Sequence, residues 1–203
     1  AYLLIRTAGA GTEAWDLLFR MRILAILART LLLVVSVTGA CVLLAVPLAW
    51  LTVRTDLPAR RVWAVAVALP LVIPSYVAGF IVVVALGPRG MLQQALDGPF
   101  GIDRLPDIHG FAGAMITLTF LSYPYVLITV RASLMRLDPA LEESSRGLGL
   151  GPWATFFRVV CPLLRPSIAA GGLLVGLYTL SDFGAVSLLR YETFTWAIFI
   201  QYE

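Results

Sequence analysis

Residues 138–166 read DPALEESSRGLGLGPWATFFRVVCPLLRP and form the longest polar interruption between the apolar stretches of this chain. The pattern is too regular for a plain loop. Asp138 has the side chain of a helix cap, and Pro139 suits the first helical position, where a missing N–H costs nothing. Glu142 and Glu143 follow near that start, where the helix dipole favours negative charge. Glu142 and Arg146 are spaced i,i+4 and are expected to pair on the exposed side. Leu137, Leu141, Ser144 or Ser145, and Leu148 would form the other side, which is small or apolar. Gly147, Gly149 and the Gly151-Pro152 pair then stop the helix. A second short helix is predicted from Pro152, with Trp153, Phe156, Phe157 and Val160 on one stripe and an end before Pro162.

Composition says what surrounds this segment. The 203 residues are 60% hydrophobic and only 13% charged. Soluble domains carry about a quarter charged residues, so the balance points to a membrane protein in contact with a lipid bilayer, which the spans below make an all-α polytopic one. All fifteen basic residues are arginine, and the net charge is +3. The arginines sit at span ends rather than in a patch, which argues against a nucleic-acid partner. Cys41 lies in an apolar span and Cys161 in the polar connection, a distribution that suggests neither a disulfide nor a metal site. His109, the sole histidine, belongs to a loop. No GxxxxGK[ST] motif is present, so ATP binding by this chain is not expected. A G-x-S-x-G elbow is also lacking, and no convincing catalytic set for a membrane enzyme emerges.

Hydropathy places the first full span at Thr30–Val53 and the second at Val62–Leu86, with Pro70 and Pro74 predicting a kink or unwound turn. A third follows at Phe111–Val130, a fourth at Ser167–Leu189, and a fifth opens at Phe194. Residues 1–29 are expected to be an extracytoplasmic or interfacial segment, with an amphipathic helix over Trp15–Leu27. The glycine- and proline-rich connection Gly87–Gly110 holds at most a short helix at Met91–Leu96. Gly172 and Gly176 form a GxxxG that permits close helix approach. Because the apolar run from Phe194 has only ten residues before the chain ends at Glu203, the sequence is expected to be part of a longer polypeptide. Placing 54–61 and 131–165 in the cytoplasm puts eight arginines there, against three in 87–110 and 190–193 and four in residues 1–29. The positive-inside rule thus favours this orientation only slightly.

Glu143, Ser144, Ser145, Gly149, Val159, Cys161 and Pro162 fall on the spacing of the EAA motif, Glu-Ala-Ala-x3-Gly-x9-Ile-x-Leu-Pro. In this respect the chain resembles the permeases of binding-protein-dependent ABC importers. Cys161 in place of Leu is the clearest departure. The stretches LAVPLAWLTVRTDLPARR, LPLVIPSYVAGF and LYTLSDFGAVSLL also look like the iron(III)-type permease family, in which two similar halves are usually fused. The resemblance implies the importer-permease (MetI-like) transmembrane fold, here a partial domain over residues 30–203 from the first half. It also implies that 138–166 is a cytoplasmic coupling segment, with Glu142, Glu143, Ser144, Ser145, Gly147, Gly149, Val159 and Pro162 at the ATPase contact. Implied partners are a cytoplasmic ABC ATPase dimer, which binds the ATP and Mg, a second permease half and a periplasmic solute-binding protein. The implied location is the bacterial cytoplasmic (inner) membrane. Iron is the implied cargo, with thiamine, phosphonate or polyamine in related systems. The rival class is a secondary transporter or channel that needs no ATPase, and copurification with an ATPase separates the two.

Four polar residues in the spans are candidates for the translocation route. Tyr76, Tyr123 and Tyr178 lie near helix irregularities or glycine pairs, and a tyrosine hydroxyl in lipid needs a partner. They either line the route or serve ordinary helix packing. Asp182 is the only acidic residue well inside an apolar span. Such residues mark function by default, but Asp182 can equally be a cap where the helix ends beside Phe183-Gly184.

Overall fold

All regular structure is helical in the computed structural model, which describes residues 21–56, 58–88, 90–93 and 107–202. Helix α1 runs over Met21–Arg54. It starts earlier than hydropathy places the span, because Met21–Arg29 contains only good helix formers and no breaker. Of the expected interfacial helix, Met21–Leu27 belongs to α1, and Trp15–Arg20 lies outside the described residues.

The second span is not one kinked helix. It is divided into α2 (Arg60–Ala66), a 3-10 turn (Leu69–Val72) and α3 (Ser75–Leu86). Pro70 sits in the first turn of the 3-10 segment, and Pro74 is extended at φ −60°, ψ 143° just before α3. Two prolines one turn apart each remove a ladder donor, and together they interrupt the helix. Met91–Gln93 is helical, and the rest of the Met91–Leu96 expectation lies outside the described residues.

Helix α4 spans Phe111–Arg136, longer than the Phe111–Val130 stretch that hydropathy marks. The polar connection then carries α5 (Pro139–Gly147) and α6 (Pro152–Thr155). A π turn over Phe156–Val160 leads without a break into α7 (Cys161–Ser181). The expectation of a helix end before Pro162 is therefore wrong. The wider π turn ahead of the proline gives its ring room and tolerates its missing N–H. The fourth span also ends earlier than Leu189. It stops at Ser181, and a separate short helix α8 (Gly184–Leu188) precedes α9 (Phe194–Tyr202).

Among the described residues, four stretches are long and apolar enough to cross a membrane: Arg22–Arg54, Ser75–Gln93, Phe111–Arg136 and Pro152–Ser181. In Phe111–Arg136, 61% of the most apolar stretch is buried, against 28% or less in the others, so α4 is the central helix. Helices α1 and α7 pack on it and on each other. Helix α1 contributes Leu33, Val37, Cys41, Ala45 and Ala49, a stripe of four-residue spacing that is fully buried. Lipid tails are as apolar as leucine, so close packing, rather than transfer out of water, holds these helices together.

Glycine sets the closest approach. A Cβ on Gly171 would lie 2.7 Å from Val126 Cα and 2.5 Å from Thr129 Oγ1 of α4. The GxxxG pair faces α1 instead: Gly172 against Thr38 at 3.3 Å and Gly176 against Val34 at 3.6 Å. Gly171→Ala should therefore push α7 off α4 at a cost of about 1–3 kcal/mol. Gly176→Ala, which meets only ordinary contact distances, should be nearly silent. Thermal unfolding in detergent would compare the two, and equal midpoints would contradict this packing.

Candidate coupling and pathway sites

Asp138 caps α5 as the sequence predicts, its carboxylate accepting from the Ala140 N–H at 3.0 Å. Pro139 takes the first helical position. At the other end, Gly149 has φ +87°, the Gly149 N–H donates to the Arg146 carbonyl at 2.9 Å, and the Leu150 N–H donates to that of Ser145 at 3.2 Å. This pair of bonds is a Schellman closure with Gly149 at its left-handed position, which disfavours any side chain. Gly147 is only the last helical residue and contributes no corner of its own.

The faces of α5 differ in part from those expected, with Ser145 inward and Arg146 outward as read but Glu142 and the leucines exchanged. Glu142 and Ser145 are buried, while Leu141, Ser144, Arg146 and Leu148 are exposed, Leu148 to 86%. Glu142 does not pair with Arg146. Its Oε1 lies 2.9 Å from Arg54 Nε, and the two side chains are 9% and 16% exposed. Ser145 Oγ lies 2.9 Å from the Glu142 carbonyl oxygen and 3.0 Å from the buried Thr155 Oγ1. The inner face is polar because polar partners wait there, and i,i+4 spacing cannot reveal a partner on another helix. Glu143 remains exposed. Trp153 and Phe157 stack at 6.4 Å and are 70% and 63% exposed. Phe156 and Val160 are buried instead, so the predicted stripe is split. Val159 and Pro162 are half-buried in the π turn and the start of α7.

Sequence reasoning missed Arg54, reading it only as one of the span-end charges. From the last position of α1 it donates to the Leu134 and Leu137 carbonyls, at 3.2 and 2.9 Å, and also meets Glu142. These carbonyls belong to the C-terminus of α4, where intrahelical partners run out and a cation is favoured. One turn earlier, Trp50 packs against Trp153 and Phe156, with ring centroids 6.2 and 5.6 Å away.

The pathway candidates do not form one cluster. Tyr123 is buried, and its hydroxyl donates to the Val67 carbonyl at 2.7 Å, satisfying the end of α2 where the second span breaks. Tyr76, in the first turn of α3, is exposed. Tyr178 packs on Tyr125 at 5.7 Å, with Ser75 and Asp182 close to its hydroxyl. Asp182 is buried, follows the last residue of α7 and accepts from the Ala185 N–H of α8 at 3.0 Å. Thr195 Oγ1 donates to the Asp182 carbonyl at 2.8 Å, tying α9 to the same break. Gly184 lets α8 lie against Ser75 and Tyr76, since its Cβ would come within 2.7 Å of Ser75 Oγ. Tyr76, Tyr178 and Asp182 thus gather around the start of α3, while Tyr123 braces the break from the α4 side.

His109 sits before α4. Its N–H donates to Asp107 Oδ1 at 3.0 Å and its ring Nδ1 lies 2.6 Å from the same oxygen. These bonds, the backbone N–H first, hold the Asp107 carboxyl below its usual range. Among the described residues, no group of three or more His, Cys, Asp or Glu is arranged to hold a metal ion.

Three apolar stretches thus pack around a fourth, the central helix α4, and a capped amphipathic helix closed by a glycine corner lies at one end. A profile described as binding-protein-dependent transport system inner membrane component matches residues 42–201, and the chain belongs to that family. It is 37% identical over 203 residues to the Fe(3+)-transport system permease protein FbpB 2 of Haemophilus influenzae, covering all of this chain and 36% of that protein. It is 33% identical over 161 residues to the molybdenum transport system permease protein ModB of Escherichia coli, covering 77% of this chain and 69% of that one. A solved bacterial alginate ABC transporter, in complex with an alginate pentasaccharide-bound periplasmic protein, shares the fold at a TM-score of 0.70 and 19% identity. That match covers 94% of this chain and 70% of the solved one. The chain thus spans about a third of the length of the Haemophilus permease, and its place is a bacterial inner membrane.

The cap at Asp182 makes a distinction by mutation. Asp182→Asn keeps an oxygen for the Ala185 N–H and should unfold close to wild type. Asp182→Ala loses the acceptor and should cost about 1 kcal/mol. Equal thermal midpoints for the two variants would contradict the capping role.

Proposed function

We propose that this chain is the transmembrane part of an ATP-driven ABC importer, in which a cytoplasmic ATPase drives alternating access through the helix α5. The observation that carries the reading is the orientation of α5. A helix outside the spans turns its polar Glu142 and Ser145 inward and leaves Leu141 and Leu148 uncovered. Exposed apolar residues beside Trp153 and Phe157 form a surface suited to a groove on a partner. The family match and the EAA spacing support an ABC ATPase as that partner, with one subunit for this half and one for a second permease half. Glu143, exposed on the same helix, supplies an electrostatic contact, and Gly149 sets the corner that aims it. When ATP closes the ATPase dimer, α5 moves with its groove and the spans tilt as nearly rigid bodies.

A periplasmic solute-binding protein delivers the cargo from the other side. Ferric iron is the cargo best supported, because similarity to the Haemophilus permease runs over the whole chain. Molybdate is the second reading, supported by the ModB match. Tyr76, Tyr178 and Asp182 face the route, and Tyr123 contributes by holding the broken helix in shape.

Ser144→Cys should cross-link to an identified ABC ATPase in native membranes, and Glu143→Arg should lower copurification of that ATPase about tenfold. Capture of no ATPase, or undiminished copurification by the Glu143 variant, would refute the corresponding role. Uptake of labelled ferric iron against molybdate in a deletion strain decides the cargo. Tyr76→Phe combined with Tyr178→Phe should reduce that uptake while sparing assembly, and unchanged uptake would remove the tyrosines from the route.

A further inference from the structure

We propose that Arg54 and Glu142 are positioning residues: a strap that makes α5 and the end of α1 move as one body. This deepens the functional reading above and rests on it for its consequence in transport. Chain connectivity joins α5 directly to α4 and, through α6 and the π turn, to α7. It offers no link to α1, although α1 packs along both. Arg54 supplies one. Its guanidinium holds two carbonyls of the α4 terminus and the Glu142 carboxylate together, joining three elements at one planar group. The planar group spreads these contacts over two nitrogens, Nη2 donating to both carbonyls and Nε standing 2.9 Å from the carboxylate as an ion pair, an arrangement that a single ammonium does not reproduce.

The pair is set apart from the docking surface. Both side chains are turned inward, which assigns Glu142 to the seat of α5 rather than to the ATPase contact that its inclusion in the coupling segment implies; Glu143 and Ser144 remain available outside. Removing either partner strands a charge where little water reaches it, which leaves α5 without a fixed seat. Trp50 adds a parallel hold, bearing on Trp153 and Phe156 from one turn earlier in α1. A push on α5 therefore reaches α1 through Arg54, and a push on the aromatic segment reaches it through Trp50.

The test uses the full-length permease in vesicles, with Cys41→Ala and Cys161→Ser, and nitroxide labels at Ala140→Cys and Leu44→Cys. Spin-echo distance measurements should give one narrow spacing that does not change between ADP and a non-hydrolysable ATP analogue with the ATPase bound. Glu142→Gln, which keeps the side-chain shape, should widen it roughly twofold, and Arg54→Lys should fall between the two. In the assembled importer, both variants should copurify with the ATPase and hydrolyse ATP at the wild-type rate, while ferric iron uptake per ATP falls about tenfold. A merely destabilised permease would lose hydrolysis and uptake together. Variants with the wild-type spacing and the wild-type ratio of uptake to hydrolysis would overturn the strap. A wild-type permease that binds no ATPase would instead sink the functional reading, and the nucleotide-free spacing would still decide whether the strap exists.

Discussion

A peptide group inside a bilayer finds no water, so every break in a spanning helix must be repaired by the protein itself. Among the described residues, two breaks are repaired by polar side chains. Where Pro70 and Pro74 interrupt the second span, the Tyr123 hydroxyl on α4 reaches the freed Val67 carbonyl. Where α7 ends, Asp182 accepts from the Ala185 N–H, and Thr195 covers its carbonyl. The same logic governs the rim of the bundle, where Arg54 satisfies the last carbonyls of α4. Polar side chains that look costly in lipid are placed where the backbone would otherwise be left without partners.

These repairs explain why α4 is central. It supplies the tyrosine that braces the second span, the surface that Gly171 approaches, and the terminus that Arg54 holds. Helices α1 and α7 gain their positions from it by close packing. The small residues are divided by partner: Gly171 faces α4, while Gly172 and Gly176 face α1. Adjacent glycines thus serve two different interfaces, which lets α7 wedge between its neighbours.

Local chemistry was readable in the sequence and long-range partnership was not. The Asp138 cap, Pro139 at the first position, the Gly149 corner and the disruption at Pro70 and Pro74 follow from backbone rules that act within a few residues. Four long apolar stretches follow from hydropathy and length, but the second and fourth do not keep the bounds that hydropathy gives them. The inward face of α5 did not follow, because Arg54 stands 88 positions before Glu142 and no periodicity announces it. The end of the fourth span was missed for a related reason: the apolar run continues through Val186 and Leu189, but one carboxylate two residues before Gly184 turns the chain. Asp182 as a cap was one of two open readings. The other, a place on the solute route, is a question of what passes by, which helix-forming rules do not address.

The π turn at Phe156–Val160 carries a consequence for how force leaves the rim. A turn closed over five residues instead of four advances the helix by about one extra residue, and so rotates all that follows by roughly 100° in azimuth. Phe156 can keep its grip on Trp50 while Gly171, four turns along, meets α4 face-on. The turn is thus a phase shifter in a continuous rod. It lets one stiff shaft be keyed to two neighbours set at different angles, Trp50 at the aromatic end and α4 further along.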